Sequence, residues 1–214
     1  MKFEYQFNSN LYKPIKWHSL FCEALYSCDP KFIKNSLVNS YGFVLSVSKI
    51  TNQKNFSPIH INNSIQINNF FLKPIACSIF YEESFYLYQL NLFVTDSSVF
   101  SNAYLEIMRK LITLASNTLS TMIAYTQKHL SRRHYDGLPL FQLDVIQNDF
   151  ADIVLQKEFL SVISLGTHSS ILLALDTILK ILNQLAKLSG ARAVLKNNVL
   201  NLMFHLFFLK KFIS

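Results

Sequence analysis

The sequence predicts an α+β fold, a C-terminal four-helix bundle preceded by a small strand-rich part. Two patterns predict it. From Ser101 onward the apolar residues step by three and four, the period of a helix with one buried face. Before about residue 100 they sit instead in short β-branched and aromatic runs. A third observation makes a core possible: half of the 214 residues are hydrophobic and only 15 % are charged, against about 25 % in an average soluble domain. That composition excludes a disordered chain, and four Gly with five Pro exclude a collagen-like or loop-dominated one. The chain divides into residues 1–100, a reduced helix-plus-strand region, and residues 101–214, the bundle, with a hinge at 95–102.

In the first part, Trp17, Leu20, Phe21, Ala24, Leu25 and then Phe32, Ile33 and Leu37 fit a helix interrupted at Asp29-Pro30. Residues 42–47 are short and β-branched. Ile59, Ile61, Ile65 and Ile67 come in spaced pairs around Asn62-Asn63, which reads as a hairpin tip. Residues 75–81 and 85–94 give the two best strands, separated by Glu82-Glu83-Ser84, and the whole reads as a small antiparallel sheet.

The second part is helical. Tyr104, Leu105, Met108, Leu111, Ile112, Ala115, Leu119, Met122 and Ile123 define one long amphipathic helix to about Leu130. SRRHYDGLP, residues 131–139, breaks it. A second helix starts near Leu140 and carries Val145, Ile146, Phe150, Ile153, Val154 and Phe159 to about Ile163, before Gly166-Thr167 breaks again. Ile171, Leu172, Leu175, Ile178, Leu179, Leu182, Leu185 and Leu188 form a third, which stops at Ser189-Gly190, glycine being the common residue past a helix end. The fourth, residues 198–212, is apolar on most sides and has to be buried or paired. Four antiparallel helices with short connections make a bundle.

Twenty Lys and Arg against 13 Asp and Glu give a net charge of +7. Such a balance suits nucleic acid, an anionic membrane face or an anionic small ligand. The basic residues beyond Ser164 are scattered and no nucleic-acid fingerprint is present, so a basic solvated face and no nucleic-acid partner are expected. Cys22, Cys28 and Cys77 are an odd number without CxxC spacing, which gives neither a disulfide framework nor a zinc site. An apolar leader is missing, and no stretch reaches the ~20 apolar residues of a transmembrane helix, so a cytoplasmic location and no transmembrane segment are expected. P-loop, GxGxxG, HExxH and GxSxG motifs are absent, and the six histidines never take metal-ligand spacing, so no metal is expected. His205, inside an apolar helix, reads as a hydrogen-bonded core or interface histidine.

Two loops at helix ends hold the remaining chemistry. In the first, a long helix ends, turns through Arg132-Arg133-His134-Tyr135-Asp136-Gly137-Leu138-Pro139, and re-enters a helix through Leu140-Phe141-Gln142 ahead of Phe150-Ala151-Asp152. The second, Leu188-Ser189-Gly190-Ala191-Arg192-Ala193, is a small-residue turn between two apolar helices. From the residues alone, Arg133 caps a helix C-terminus and Gly190 is a helix stop.

Over residues 101–214 this constellation resembles the C-terminal helical domain of the acyl-CoA dehydrogenase family. Arg133-His134-Tyr135 is similar to that family's Arg-x-Phe/Tyr. Pro139-Leu140 and Phe141-Gln142 correspond to its helix start, Phe150-Ala151-Asp152 to its Leu-Ala-Asp, and the Gly190 turn to its glycine turn. Anchoring the comparison on Tyr125 instead gives His129 the arginine position. The chain departs from the pattern at Ala191 and Ala193, which replace glycines, and in lacking the family's Thr-Glu-Pro-type flavin motif within residues 1–100.

The resemblance implies a shortened or divergent acyl-CoA dehydrogenase-like protein: an FAD oxidoreductase that, if active, dehydrogenates an acyl-CoA or acyl-carrier thioester between its α and β carbons. It implies that Arg133 holds the cofactor's phosphates, that Gln142 hydrogen-bonds on the adenine side, and that Gly190 with Ala191 allows close backbone approach. Glu106 is the one carboxylate it offers as the base. The implied assembly is a homo-oligomer, or a hetero-oligomer with a homologous subunit. The alternative is a non-catalytic relative that keeps the bundle as a dimerisation or binding module. A third reading uses the apolar, lysine-ended helix over 198–211 to lie on a membrane surface.

Overall fold

The computed structural model describes residues 36–39, 41, 43–46, 59–60, 72–75, 86–90, 100–190, 193 and 199–214. The helix expected over 17–33, the Asn62-Asn63 tip, the Glu82-Glu83-Ser84 turn and Ala191 lie outside them. Strands β1 (Ser36–Val38), β2 (Phe43–Ser46), β3 (Ile59–His60), β4 (Leu72–Ile75) and β5 (Tyr86–Leu90) form one sheet in the order β3-β1-β2-β5-β4. The pairs β1–β2, β2–β5 and β4–β5 are antiparallel as expected, whereas β1 and β3 run parallel, so the sheet is mixed. Leu37, which the helical pattern claims, sits in β1 opposite Leu45 of β2. One apolar residue at the end of a helical pattern is also compatible with a strand, and the pairing on both sides of β1 decides it. The fourth strand starts at Leu72, ahead of the predicted Ile75, and contains Pro74. It lies at the end of the strand order, where a missing N–H costs no ladder bond on its outer side.

One buried amide joins sheet to helices. Asn39 Oδ1 accepts from the backbone N–H of Tyr41 (3.1 Å) and of Phe43 (2.8 Å), which closes the turn between β1 and β2. Its Nδ2 donates to the carbonyl of Phe212 at 3.0 Å, 173 residues away in sequence. A buried amide satisfied in this way fixes both groups it touches. Leu45 of β2 belongs to the same core as the helices, with Phe43 and Leu87 packed against it.

The helices follow the sequence period closely: α1 (Asn102–Ser131), α2 (Asp144–Val162), α3 (His168–Ser189) and α4 (Val199–Ile213). Ser101 starts α1 by accepting the Tyr104 N–H on its side chain. A capping box starts α3: Thr167 Oγ1 accepts the Ser170 N–H at 3.2 Å while Ser170 Oγ accepts the Thr167 N–H at 3.1 Å. Gly190 ends α3 at φ +58°, a region that L side chains rarely adopt, and donates to the carbonyls of Ala186 and Lys187. The break over 131–139 is a β-hairpin, β6 (His134–Tyr135) with β7 (Leu138–Pro139), followed by a 3-10 turn over Leu140–Gln142.

Helix α3 packs against each of the other three helices. It runs parallel to α1: Tyr104 meets His168 at the start of both, and Thr126 meets Ser189 near the end of both. Helix α2, packed on α3, makes the return, so that the α2–α3 loop reaches the start of α1, where Arg109 Nε donates to the Leu165 carbonyl at 2.9 Å. Helix α4 runs back along α3, tied by an ion pair between Lys210 and Asp176. The seam is apolar: Leu111, Ala115, Leu119, Leu175, Ile178, Leu182 and Leu185 are fully buried. Within α4, His205 is buried and its Nδ1 donates to the Asn201 carbonyl at 2.7 Å, the core histidine that its surroundings implied.

Leu175→Ala removes a fully buried side chain from the helix that touches all others, and should lower unfolding free energy by about 2–5 kcal/mol in denaturant titration. Asn39→Ala should cost about 2–3 kcal/mol by the same measurement, because it orphans two N–H groups and a carbonyl.

Candidate functional site

The parallel seam has two ends of opposite character. At the first, Tyr104 lies two residues inside α1 and His168 is the first residue of α3. Tyr104 is fully buried, and its hydroxyl is 2.9 Å from His168 Nδ1. Phe100 stacks on the imidazole, with ring centroids 4.1 Å apart and planes 11° from parallel. Burial pushes the Tyr104 hydroxyl well up, so it stays a neutral donor, and burial lowers the His168 pKa. The N-terminus of α3 also disfavours a cation at that position. A neutral ring protonated on Nε2 accepts the tyrosine hydroxyl at Nδ1. This is a closed polar contact inside an apolar end, and it holds two helices in register.

Glu106 lies close by in sequence but faces out. Its carboxylate pairs with Arg109 at 2.8 Å and with Lys110 at 3.6 Å, both on α1 itself. The same Arg109 holds the Leu165 carbonyl. Glu106 therefore orients the guanidinium that pins the α2–α3 loop to α1.

The second end carries the residues that the family resemblance singled out. Every residue from Ser131 to Leu138 is exposed. Asp136 (φ +50°) and Gly137 (φ +79°) are the two corner residues of the hairpin, a turn that needs positive φ at both. Arg133 accepts at its carbonyl from the Leu140 N–H at 2.7 Å, which extends the hairpin register by one pair. Among the described residues the side chains of Lys128, Arg132 and Arg133 have no ion-pair or hydrogen-bond partner. Gln142 is exposed in the 3-10 turn. Gly190 and exposed Lys187 are at this end too, because Ser189 Oγ lies 3.3 Å from Thr126 Oγ1, within the last two turns of α1. A Cβ added to Gly190 would meet nothing within 4 Å.

The structure thus brings Arg133, Gln142 and Gly190 to one end and leaves Glu106 at the other, about 40 Å away along α1 at 1.5 Å per residue. Exposed guanidinium groups without partners among the described residues can fork onto an anionic group. No dinucleotide spans from there to Glu106 of the same chain. No group of His, Cys, Asp and Glu among the described residues is arranged to hold a metal. None of the described helices is long and apolar enough to cross a membrane.

Two features escaped the sequence. The Tyr104–His168 contact joins residues 64 apart and has no local signature. The hairpin did have one, since Asp-Gly between His-Tyr and Leu-Pro is a strong two-residue turn signal. Compared with known protein families, curated proteins and solved structures, the chain matches none.

The Tyr104–His168 contact predicts an acid sensitivity. His168 resists protonation in the folded chain, while in the unfolded chain it titrates at its ordinary value of about 6.5. The unfolded state then binds more protons as the pH falls, so stability is full above about pH 6.5 and declines as pH drops towards the folded-state pKa. Urea unfolding between pH 8 and pH 5 should show this decline, and His168→Phe should flatten it; an unchanged slope would refute the assignment.

Proposed function

We propose that this chain is a helical binding module that takes an anionic partner at the basic end of the bundle and does not by itself complete a flavin centre. The placement of Glu106 carries this reading. A general base has to reach the proton it removes, and Glu106 lies about 40 Å from Arg133 along α1. It is also already engaged by Arg109 and Lys110. The basic end has what a binding module needs. Lys128, Arg132 and Arg133 have no side-chain partner among the described residues, and the two arginines lead into a hairpin whose register is fixed by backbone hydrogen bonds.

A second reading is favoured by a separate observation, the convergence of the Arg133 loop and Gly190 at one end. On that reading the chain is an acyl-CoA dehydrogenase-like subunit: Arg133 forks onto the FAD pyrophosphate, Gln142 hydrogen-bonds the adenine side, and the backbone at Gly190 approaches the phosphates. Bound FAD would supply the hydride acceptor for an acyl-CoA or acyl-carrier thioester. The base would come from Glu106 of a second copy, or from a fuller homologous subunit, since one chain cannot bring both to one cofactor.

Absorbance after incubation with FAD and desalting separates the two readings. The module reading predicts no retained band at about 450 nm, and no difference between the parent protein and Arg133→Ala. Stoichiometric flavin that Arg133→Ala fails to retain would decide for the second reading.

A further inference from the structure

The hairpin end has a chemistry that names its partner, an inference that rests on the module reading above. Tyr135 and Leu138 are directly opposed across the β6–β7 pair, so both side chains stand on the same face of the hairpin at its tip. They are 68 % and 52 % exposed, an apolar pair turned to solvent on a protruding turn. Arg133 precedes β6 by one residue, with its carbonyl bonded to the Leu140 N–H, and it is exposed like the two tip residues. Arg132 and Lys128 stand behind it in the last turns of α1, and Lys187 lies at the same end of α3. Between residues 124 and 144, Lys128, Arg132, Arg133 and two histidines stand with two acids, Asp136 in the turn and Asp144 at the start of α2.

We propose that this hairpin docks the protein on an anionic lipid surface, with Tyr135 and Leu138 entering the interface and Lys128, Arg132 and Arg133 meeting the headgroups. An amphipathic aromatic beside an aliphatic side chain fits the boundary between headgroups and acyl chains. Arg133 and Arg132, two and three residues behind Tyr135, lie at headgroup depth, with Lys128 one helical turn further back. Nucleic acid would use the same cations for its phosphates, but it gives the aliphatic Leu138 at the tip no comparable role. The attachment is peripheral, a two-residue apolar tip steered by charge, and is therefore reversible and salt-sensitive.

Co-sedimentation of the full chain with vesicles tests it, using phosphatidylcholine with and without phosphatidylserine. Binding is expected only with phosphatidylserine, and it should be lost at high salt. Each basic residue near an anionic leaflet strengthens binding by about fivefold, so Arg132→Ala with Arg133→Ala should weaken it by about 25-fold. Tyr135→Ser with Leu138→Ser should weaken it as well, with all charges retained. All four side chains are exposed, so the circular dichroism spectrum and thermal midpoint of both double variants should match the parent. Three results would overturn the proposal: no binding to phosphatidylserine vesicles at low salt, undiminished binding by the Tyr135/Leu138 variant, or tighter binding to a DNA duplex than to vesicles. Failure here in a protein that also retains no FAD removes the lipid partner alone. Flavin retention that depends on Arg133 removes the module reading beneath it.

Discussion

The parallel packing of α1 on α3 is the constraint on which the rest of the molecule depends. Parallel neighbours cannot be joined by a tight turn, so the chain between them has to travel the length of the bundle and back. Helix α2 is that return, and it is sparingly buried, with Phe150, Ile153 and Leu160 its buried residues. The seam itself is continuous apolar contact, closed by Tyr104 and His168 at one end and by Thr126 and Ser189 at the other. Both closures are polar contacts that involve buried hydroxyls, Tyr104 at one end and Thr126 with Ser189 at the other, and a shift of one helix past the other by a turn would leave those hydroxyls unsatisfied. Apolar contact supplies the attraction, and these polar pairs select one register.

The same constraint separates the two ends chemically. The end where α1 and α3 begin is closed by stacked rings and overlaid by the Arg109–Leu165 tie. The end where they finish has cations in the last turns of both helices, where the helix dipoles favour them, and a hairpin that protrudes because the return helix must start somewhere beyond α1. Lys128, His129 and Lys187 thus serve the helix termini. Nothing in the dipole argument, however, accounts for Tyr135 and Leu138 at the hairpin tip.

The helices were legible because their period is written many times over. Nine apolar positions define α1, and the observed Asn102–Ser131 differs from the expected span by about a residue at each end. Gly190 was legible for a different reason, since a helix stop with positive φ asks for glycine. The strands were less so. They are two to five residues long, too short for alternation to be read securely, and Leu37 shows how a neighbouring helical pattern can absorb a strand residue. Arg133, Gln142 and Gly190 lie in the two loops that the sequence marks as helix breaks, and the matched lengths of α1 and α3 put both loops at one end of the bundle. The ties of Glu106 follow from ordinary spacing, because Arg109 and Lys110 lie three and four residues on. The Tyr104–His168 pair could not be read, because it exists only once α2 has brought α3 back beside α1.

That return path also sets an order of events during synthesis. The apolar stripe of α1 is finished at Ser131, but its cover, α3, ends only at Ser189. At about 5–20 residues per second a ribosome takes roughly 3–12 s to supply the difference. For that interval a 30-residue amphipathic helix lacks α3, the helix that covers its buried stripe, and has only the sheet residues made before it and the 3-10 turn to pack against. The last helix to emerge, α4, is the one whose end Asn39 holds, so the sheet near the start of the chain waits longest for its final hydrogen bond. The native core is therefore complete only once α4 has joined α1 and α3, so the apolar faces of the earlier helices need shielding until then.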